Sequence, residues 1–153
     1  MTLQKFLWPT DFSDRAGQAL DYVKSLTRKY EAEIHVLYVI EDVQPHPEWY
    51  GDFESDHVAK MLAWARRKAR QRLDAICSEQ LDDCPYFVRH IAVGDPAREI
   101  LKLIEKANID MVVMSTRGAK AHFRFGSVAE KVVKHAPVPV VTIPPARETA
   151  PAV

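Results

Sequence analysis

Short apolar runs alternate along the chain with segments whose apolar positions recur at helical spacing. QKFLWP, residues 4–9, is an apolar run that stops at Pro9. From Ser13 the period changes, and Ala16, Ala19, Leu20, Val23, Leu26 and Tyr30 fall on one helical face. Ser13 is placed to cap that helix, and Asp14 suits the positive end of its dipole. EIHVLYVI, residues 33–40, is β-branched and nearly continuously apolar, as a strand covered on both faces should be.

Residues 41–54, EDVQPHPEWYGDFE, break the pattern with two prolines, a glycine and three aromatics. Such a long irregular connection is often interactive, and at least one of Trp49, Tyr50 and Phe53 is expected to cover the ligand cleft or a dimer partner. A second helix is predicted from about Ser55 to about Gln80, its buried stripe marked by Val58, Met61, Leu62, Ala65, Ala69, Leu73 and Ile76. YFVRHIAV, residues 86–93, reads as a third strand ended by Gly94. Asp95 then caps a helix with Pro96 at its first position, where a missing N–H costs nothing. Ile100, Leu101, Ile104 and Ala107 face inward from it. IDMVVM, residues 109–114, is a fourth strand, and VPVVTIP, residues 138–144, a fifth. Between them Ser127-Val-Ala-Glu130 has the form of a capping box opening a last helix.

The order βαβαβαβαβ predicts an α/β fold, an open twisted parallel sheet of five strands with helices on both faces. The domain is expected over residues 1–146, with a frayed, flexible tail at 147–153. Ligands of such sheets sit beyond the carboxyl ends of the strands, where strand order reverses. The loop at 115–127 lies on that edge.

Composition narrows the function. The 21 basic and 21 acidic residues cancel, so nothing global points to nucleic acid or to an anionic membrane. The basic run Arg66-Arg67-Lys68-Ala69-Arg70-Gln71-Arg72 reads as a solvated helix face. Cys77 and Cys84 are not spaced as a redox or zinc pair and read as inert thiols of a reducing, cytoplasmic protein. His46, Glu48 and His57 read as solvated rather than metal ligands. No nucleophile elbow or triad context occurs, so catalysis is not expected, beyond slow hydrolysis of a bound triphosphate.

The 115–127 loop is built for an anion. A helix N-terminus offers free N–H groups and partial positive charge. Gly126 permits close backbone approach, Ser127 can cap or reach the anion, and Gly118 adds backbone freedom. Arg117, Lys120, His122 and Arg124 bring positive charge. Neither a P-loop nor a G-x-G-x-x-G turn is present. From residues alone, a capped helix after a basic loop is the competing reading. Asp11 then reads as an Asx turn, and Val39 and Met114 as core.

Four stretches carry a family resemblance: FLWPTDFSDRAGQAL at 6–20, HVLYVIED at 35–42, VGDPAREI at 93–100, and MVVMSTRG followed by FGSVAEKVVKHAPVPVVTIP. Through them the chain resembles the universal stress protein family over nearly its full length. The resemblance implies an adenine nucleotide alpha hydrolase-like, Rossmann-like sheet, usually dimeric, and in many members an AMP, ADP or ATP site. It would place Pro9, Thr10 and Asp11 at the ribose, Val39 near the adenine, Met114 and Ser115 beneath the sugar, and Gly118, Gly126 and Ser127 at the phosphates. The nucleotide-binding branch carries G-x-x-G, nine residues, then G-[ST]. Here Ser115-Thr-Arg-Gly118 is followed by seven residues and Gly126-Ser127, so the first glycine is a serine and the loop is two residues short. AMP or ADP is therefore expected to bind nearly as well as ATP, with little help from magnesium, and no cofactor is expected to be needed for folding. The alternative implied by the short loop is a dimeric interaction protein that binds no nucleotide. VPVVTIP, as an edge strand, is expected to form the homodimer.

Overall fold

The computed structural model describes residues 1–41, 54–81, 86–117 and 126–146. Within them lie β1 (Lys5–Pro9), α1 (Asp14–Tyr30), β2 (Glu33–Glu41), α2 (Glu54–Gln80), β3 (Phe87–Gly94), α3 (Pro96–Lys106), β4 (Met111–Ser115), α4 (Ser127–His135) and β5 (Val140–Ile143). The strands form one parallel sheet in the order β3-β2-β1-β4-β5. The α/β class, the strand number and the helices on both faces are those expected. Trp49, Tyr50, Phe53, His46, Glu48, Cys84, Gly118, Lys120, His122, Arg124 and the tail 147–153 lie outside the described residues.

Strand alternation divides the core in two. Phe6, Trp8, Ile34, Val36 and Val113 meet Leu20 and Val23 of α1 and Leu73 and Cys77 of α2. Leu7, Leu37, Val112 and Met114 face the other way, onto Ile100, Leu103 and Ile104 of α3 and Ala129 and Val132 of α4. Phe6, Leu7 and Trp8 are at most 1% exposed, and burying each such side chain contributes about 1.5–3 kcal/mol. Trp8 also satisfies its one donor, giving Nε1–H to the Ala16 carbonyl at 3.0 Å.

The caps of α1 and α3 form as read. Ser13 Oγ accepts from Ala16 N–H at 3.3 Å, and Asp95 Oδ2 accepts from Arg98 N–H at 3.0 Å, with Pro96 next to it. The cap of α4 does not. Gly126 takes the N-cap position with no side-chain hydrogen bond, and Ser127 is already helical and exposed. One residue of offset moves Glu130 out of capping reach, and it pairs with Lys134 at 2.9 Å instead.

Two positions placed on helical stripes prove exposed: Met61 at 59% and Tyr30 at 44%. The first turns of α2 overhang the sheet, so helical spacing alone puts Met61 in a core that is not there. β4 runs one residue further than read and starts two later, because Asn108 in the left-handed region turns the chain before it. β5 is shorter than read, at Val140–Ile143, and stands at the edge of the sheet beside β4.

Candidate functional site

The carboxyl ends of the strands hold the site, and Pro9 shapes its centre. The β1–β2 ladder continues to Pro9 opposite Leu37, whereas the β1–β4 ladder pairs Phe6 with Met111 and Leu7 with Val112. Thr10 N–H donates to the Leu37 carbonyl at 2.9 Å, so alternation turns the Pro9 nitrogen toward β4. That nitrogen has no hydrogen to donate. The end of β1 therefore stays with β2 and lacks a ladder donor toward β4. The strand order reverses at this place, since the chain leaves β1 for β2 and β3 and returns to β4 on the other side.

Beyond Pro9 the chain turns tightly. Thr10 is buried, and its Oγ1 accepts from Phe12 N–H at 3.0 Å. Phe12 has φ 62°, and its ring lies 4.4 Å from that of Tyr38. Asp11 is exposed, and its Oδ1 accepts from Ser13 N–H at 2.9 Å and from the Ser13 hydroxyl. The Asx turn read from residue type is formed, directly beside the helix cap.

On the α3–α4 side, Val39 and Met114 pack in one cluster. Ser115 points to the opposite face, and its Oγ donates to the Arg117 carbonyl at 2.9 Å. Thr116 returns to the Met114 side by alternation. It is 7% exposed, and its Oγ1 is buried with no hydrogen-bond partner among the described residues. The Gly126 N–H donates to the Thr116 carbonyl, which sets the open end of α4 directly against this hydroxyl's own residue. A groove of about 500 Å³ runs alongside, lined by Glu41, Gly94, Asp95, Lys102, Ser127 and Lys131 among others. Gly94, with φ 148°, leads β3 into α3 there.

Val39 and Met114 share one cluster, Thr10 is tied to β2, Gly126 sits against Thr116, and of the expected residues only Ser127 lines the groove, where it is not a cap. Ser115 and Asp11 stand with their hydrogen bonds turned to the protein's own backbone and side chains. Thr116 and Glu41 were missed. The signal for Thr116 was available: Val112, Met114 and Thr116 continue one buried face, so a hydroxyl at the third position needs a partner. Among the described residues no group of histidine, cysteine and carboxylate side chains is arranged to hold a metal. No helix among them is long and apolar enough to cross a membrane.

The Universal stress protein family matches residues 2–144. Universal stress protein MJ0531 of Methanocaldococcus jannaschii is 28% identical, over 92% of this chain and 81% of that protein. Universal stress protein MJ0577 of the same organism is 28% identical over 92% of this chain and 94% of its own. The solved structure of MJ0577 superposes with a TM-score of 0.79 at 27% identity, covering 97% of this chain and all of that one. At 18% and 21% identity, two further structures share the fold, with TM-scores of 0.60 and 0.55: a universal stress protein in complex with cAMP and the Archaeoglobus fulgidus universal stress protein in complex with dAMP.

Proposed function

The chain belongs to the universal stress protein family, and from that premise we propose that it binds an adenine nucleotide at the carboxyl edge of its sheet. Binding without turnover is the proposed role, in a cytoplasmic homodimer. The observation that carries the reading is the pairing of an α4 N-terminus without a side-chain cap with a buried Thr116 Oγ1 that has no partner among the described residues. A bound anion accepts from the helix N–H groups and is favoured by the dipole. A ligand oxygen or nitrogen also gives the Thr116 hydroxyl the partner that burial demands. Two proteins of this fold hold cAMP and dAMP, each an adenine nucleotide with one phosphate.

One phosphate is also what the loop length favours. With two residues fewer than the nucleotide-binding pattern, the segment between Gly118 and Gly126 supplies fewer N–H groups for distal phosphates. AMP and ADP are expected to bind nearly as tightly as ATP, with little dependence on magnesium. The proposed contacts are Pro9, Thr10 and Asp11 at the ribose, Val39 at the adenine, Met114 and Ser115 beneath the sugar, and Gly118, Gly126 and Ser127 at the phosphate.

The nucleotide-free reading has its own support in Asp11, whose carboxylate already accepts from Ser13. Calorimetric titration of AMP and ATP separates the two. Binding to wild type, weakened by Asp11→Ala and blocked by Gly126→Val, upholds nucleotide binding. No heat from either nucleotide at millimolar concentration leaves the non-binding interaction protein. The homodimer is proposed to form through β5, whose outer edge has no neighbouring strand in the sheet order. Sedimentation showing only monomer at micromolar concentration rejects it.

A further inference from the structure

The zero net charge of the chain conceals a segregation. Between His57 and Leu73 stand Lys60, Arg66, Arg67, Lys68, Arg70 and Arg72, with no aspartate or glutamate among them. The compensating acids lie elsewhere. The same stretch of α2 overhangs the sheet. Burial begins at Ala69, while from His57 to Lys68 only Val58, Leu62 and Ala65 are even partly covered.

Trp64 stands at the middle of the overhang, 58% exposed, with Met61 at 59%. Helical spacing sets Lys60, Met61, Trp64, Arg67 and Lys68 on one outward face, away from the stripe of Leu62, Ala65, Ala69 and Leu73. Lys68 Nζ lies 5.8 Å from the Trp64 ring centroid. More than half of the tryptophan's surface stays open to solvent.

The distribution of charge decides what fits. Arg66 and Arg70 point to the flanks and Arg72 lies over the Phe12 ring at 5.0 Å, so the cations form no fixed cluster that a few carboxylates would match. A diffuse anionic surface attracts the outward Lys60, Arg67 and Lys68 together, without requiring a fixed cluster. Duplex DNA would do the same, yet its bases are already stacked and offer nothing to Trp64 and Met61. The boundary between headgroups and acyl chains accepts an indole and a thioether, with lysine and arginine reaching the lipid phosphates beside them. The geometry points to peripheral docking of the outward face of α2 on an anionic lipid bilayer, with Trp64 and Met61 entering the headgroup region. This surface is separate from the nucleotide cleft, and neither proposal depends on the other.

Cosedimentation with vesicles of equimolar phosphatidylglycerol and phosphatidylcholine tests it, against vesicles of phosphatidylcholine alone, duplex DNA and poly-glutamate. The protein is expected on the anionic vesicles and not on the neutral ones. Binding should weaken as ionic strength rises from about 0.01 M to about 0.15 M, where the screening length falls from about 30 Å to about 8 Å. Trp64→Ala should lower partitioning several-fold, and joint Lys60→Gln, Arg67→Gln and Lys68→Gln substitution roughly tenfold or more. All these side chains are exposed, so the variants should melt as the wild type does. The idea is overturned by a wild type that ignores anionic vesicles, or by variants that bind as the wild type does. It is equally overturned if DNA or poly-glutamate is bound as tightly as the vesicles and with no loss on Trp64→Ala.

Discussion

His35 and His90 face each other across the β2–β3 ladder, Nδ1 to Nε2 at 2.9 Å, with ring planes 12° apart. Glu33 Oε2 lies 3.2 Å from the other His35 nitrogen. A carboxylate only accepts, so His35 Nε2–H donates to it. Lys5 stands opposite Glu33 in the next ladder and gives its Nζ to the Ala107 carbonyl at 3.2 Å. Lys5 ties β1 to the C-terminal end of α3, and separately the histidine pair ties β2 to β3.

Acid should loosen this tie. Burial, then the neighbouring His35 and Lys106, lower the His90 pKa below its ordinary 6.5. A lowered folded value means that unfolding takes up a proton. The contribution of His90 is therefore complete above pH 6.5 and is lost as pH falls through the lowered value. Urea denaturation across this range should show stability declining toward acid. In His90→Asn the slope should be smaller by up to about one proton. An unchanged slope would remove His90 from the account.

Thr116→Val should separate stability from binding. Valine fills the same volume and removes a buried hydroxyl that has no partner among the described residues. The melting temperature should stay level or rise, since no hydrogen bond is broken. Nucleotide affinity should fall by about 0.5–1.5 kcal/mol, the net worth of one neutral hydrogen bond. Equal affinity in the variant would show that the hydroxyl does not face the ligand.

Gly94→Ala should destabilise the turn from β3 into α3. Gly94 has φ 148°, which L-residues rarely adopt, and an added Cβ would sit 3.0 Å from Glu99 Oε1. Glu99 can swing aside, so backbone strain dominates, at about 1–3 kcal/mol. Denaturant midpoints compared with Gly17→Ala provide the control, because a Cβ at Gly17 meets nothing within 4 Å. Similar midpoints for the two variants would refute the strain.

Cys77 should resist thiol reagents until the protein unfolds. It is 1% exposed, and burial raises its pKa from 9.0 to about 11, leaving the reactive thiolate scarce at neutral pH. In a Cys84→Ser background, labelling by a maleimide should follow the fraction unfolded as urea is added. Rapid labelling of the native protein would contradict the packing of α2 on β2 and β3.

The alternation of apolar runs with helical stripes was enough to determine the element order and the parallel sheet. Each run and each stripe needs a covered face, and one layered arrangement covers them all. Ser13 and Asp95 were legible as caps because a cap acts within its own turn. Pro9 was legible as the end of a strand, but its consequence was not: only strand order shows that the missing N–H faces β4. Tertiary structure also decided where the stripes of α1 and α2 stop being buried, since spacing gives the direction of Met61 but not the extent of the sheet beneath it. The offset of Gly126 and Ser127 at the start of α4 turned on the Gly126 N–H reaching the Thr116 carbonyl. The pairing of His35 with His90 joins residues 55 apart in sequence, and local pattern carries no information about such contacts because register across a ladder is set by the whole packed sheet.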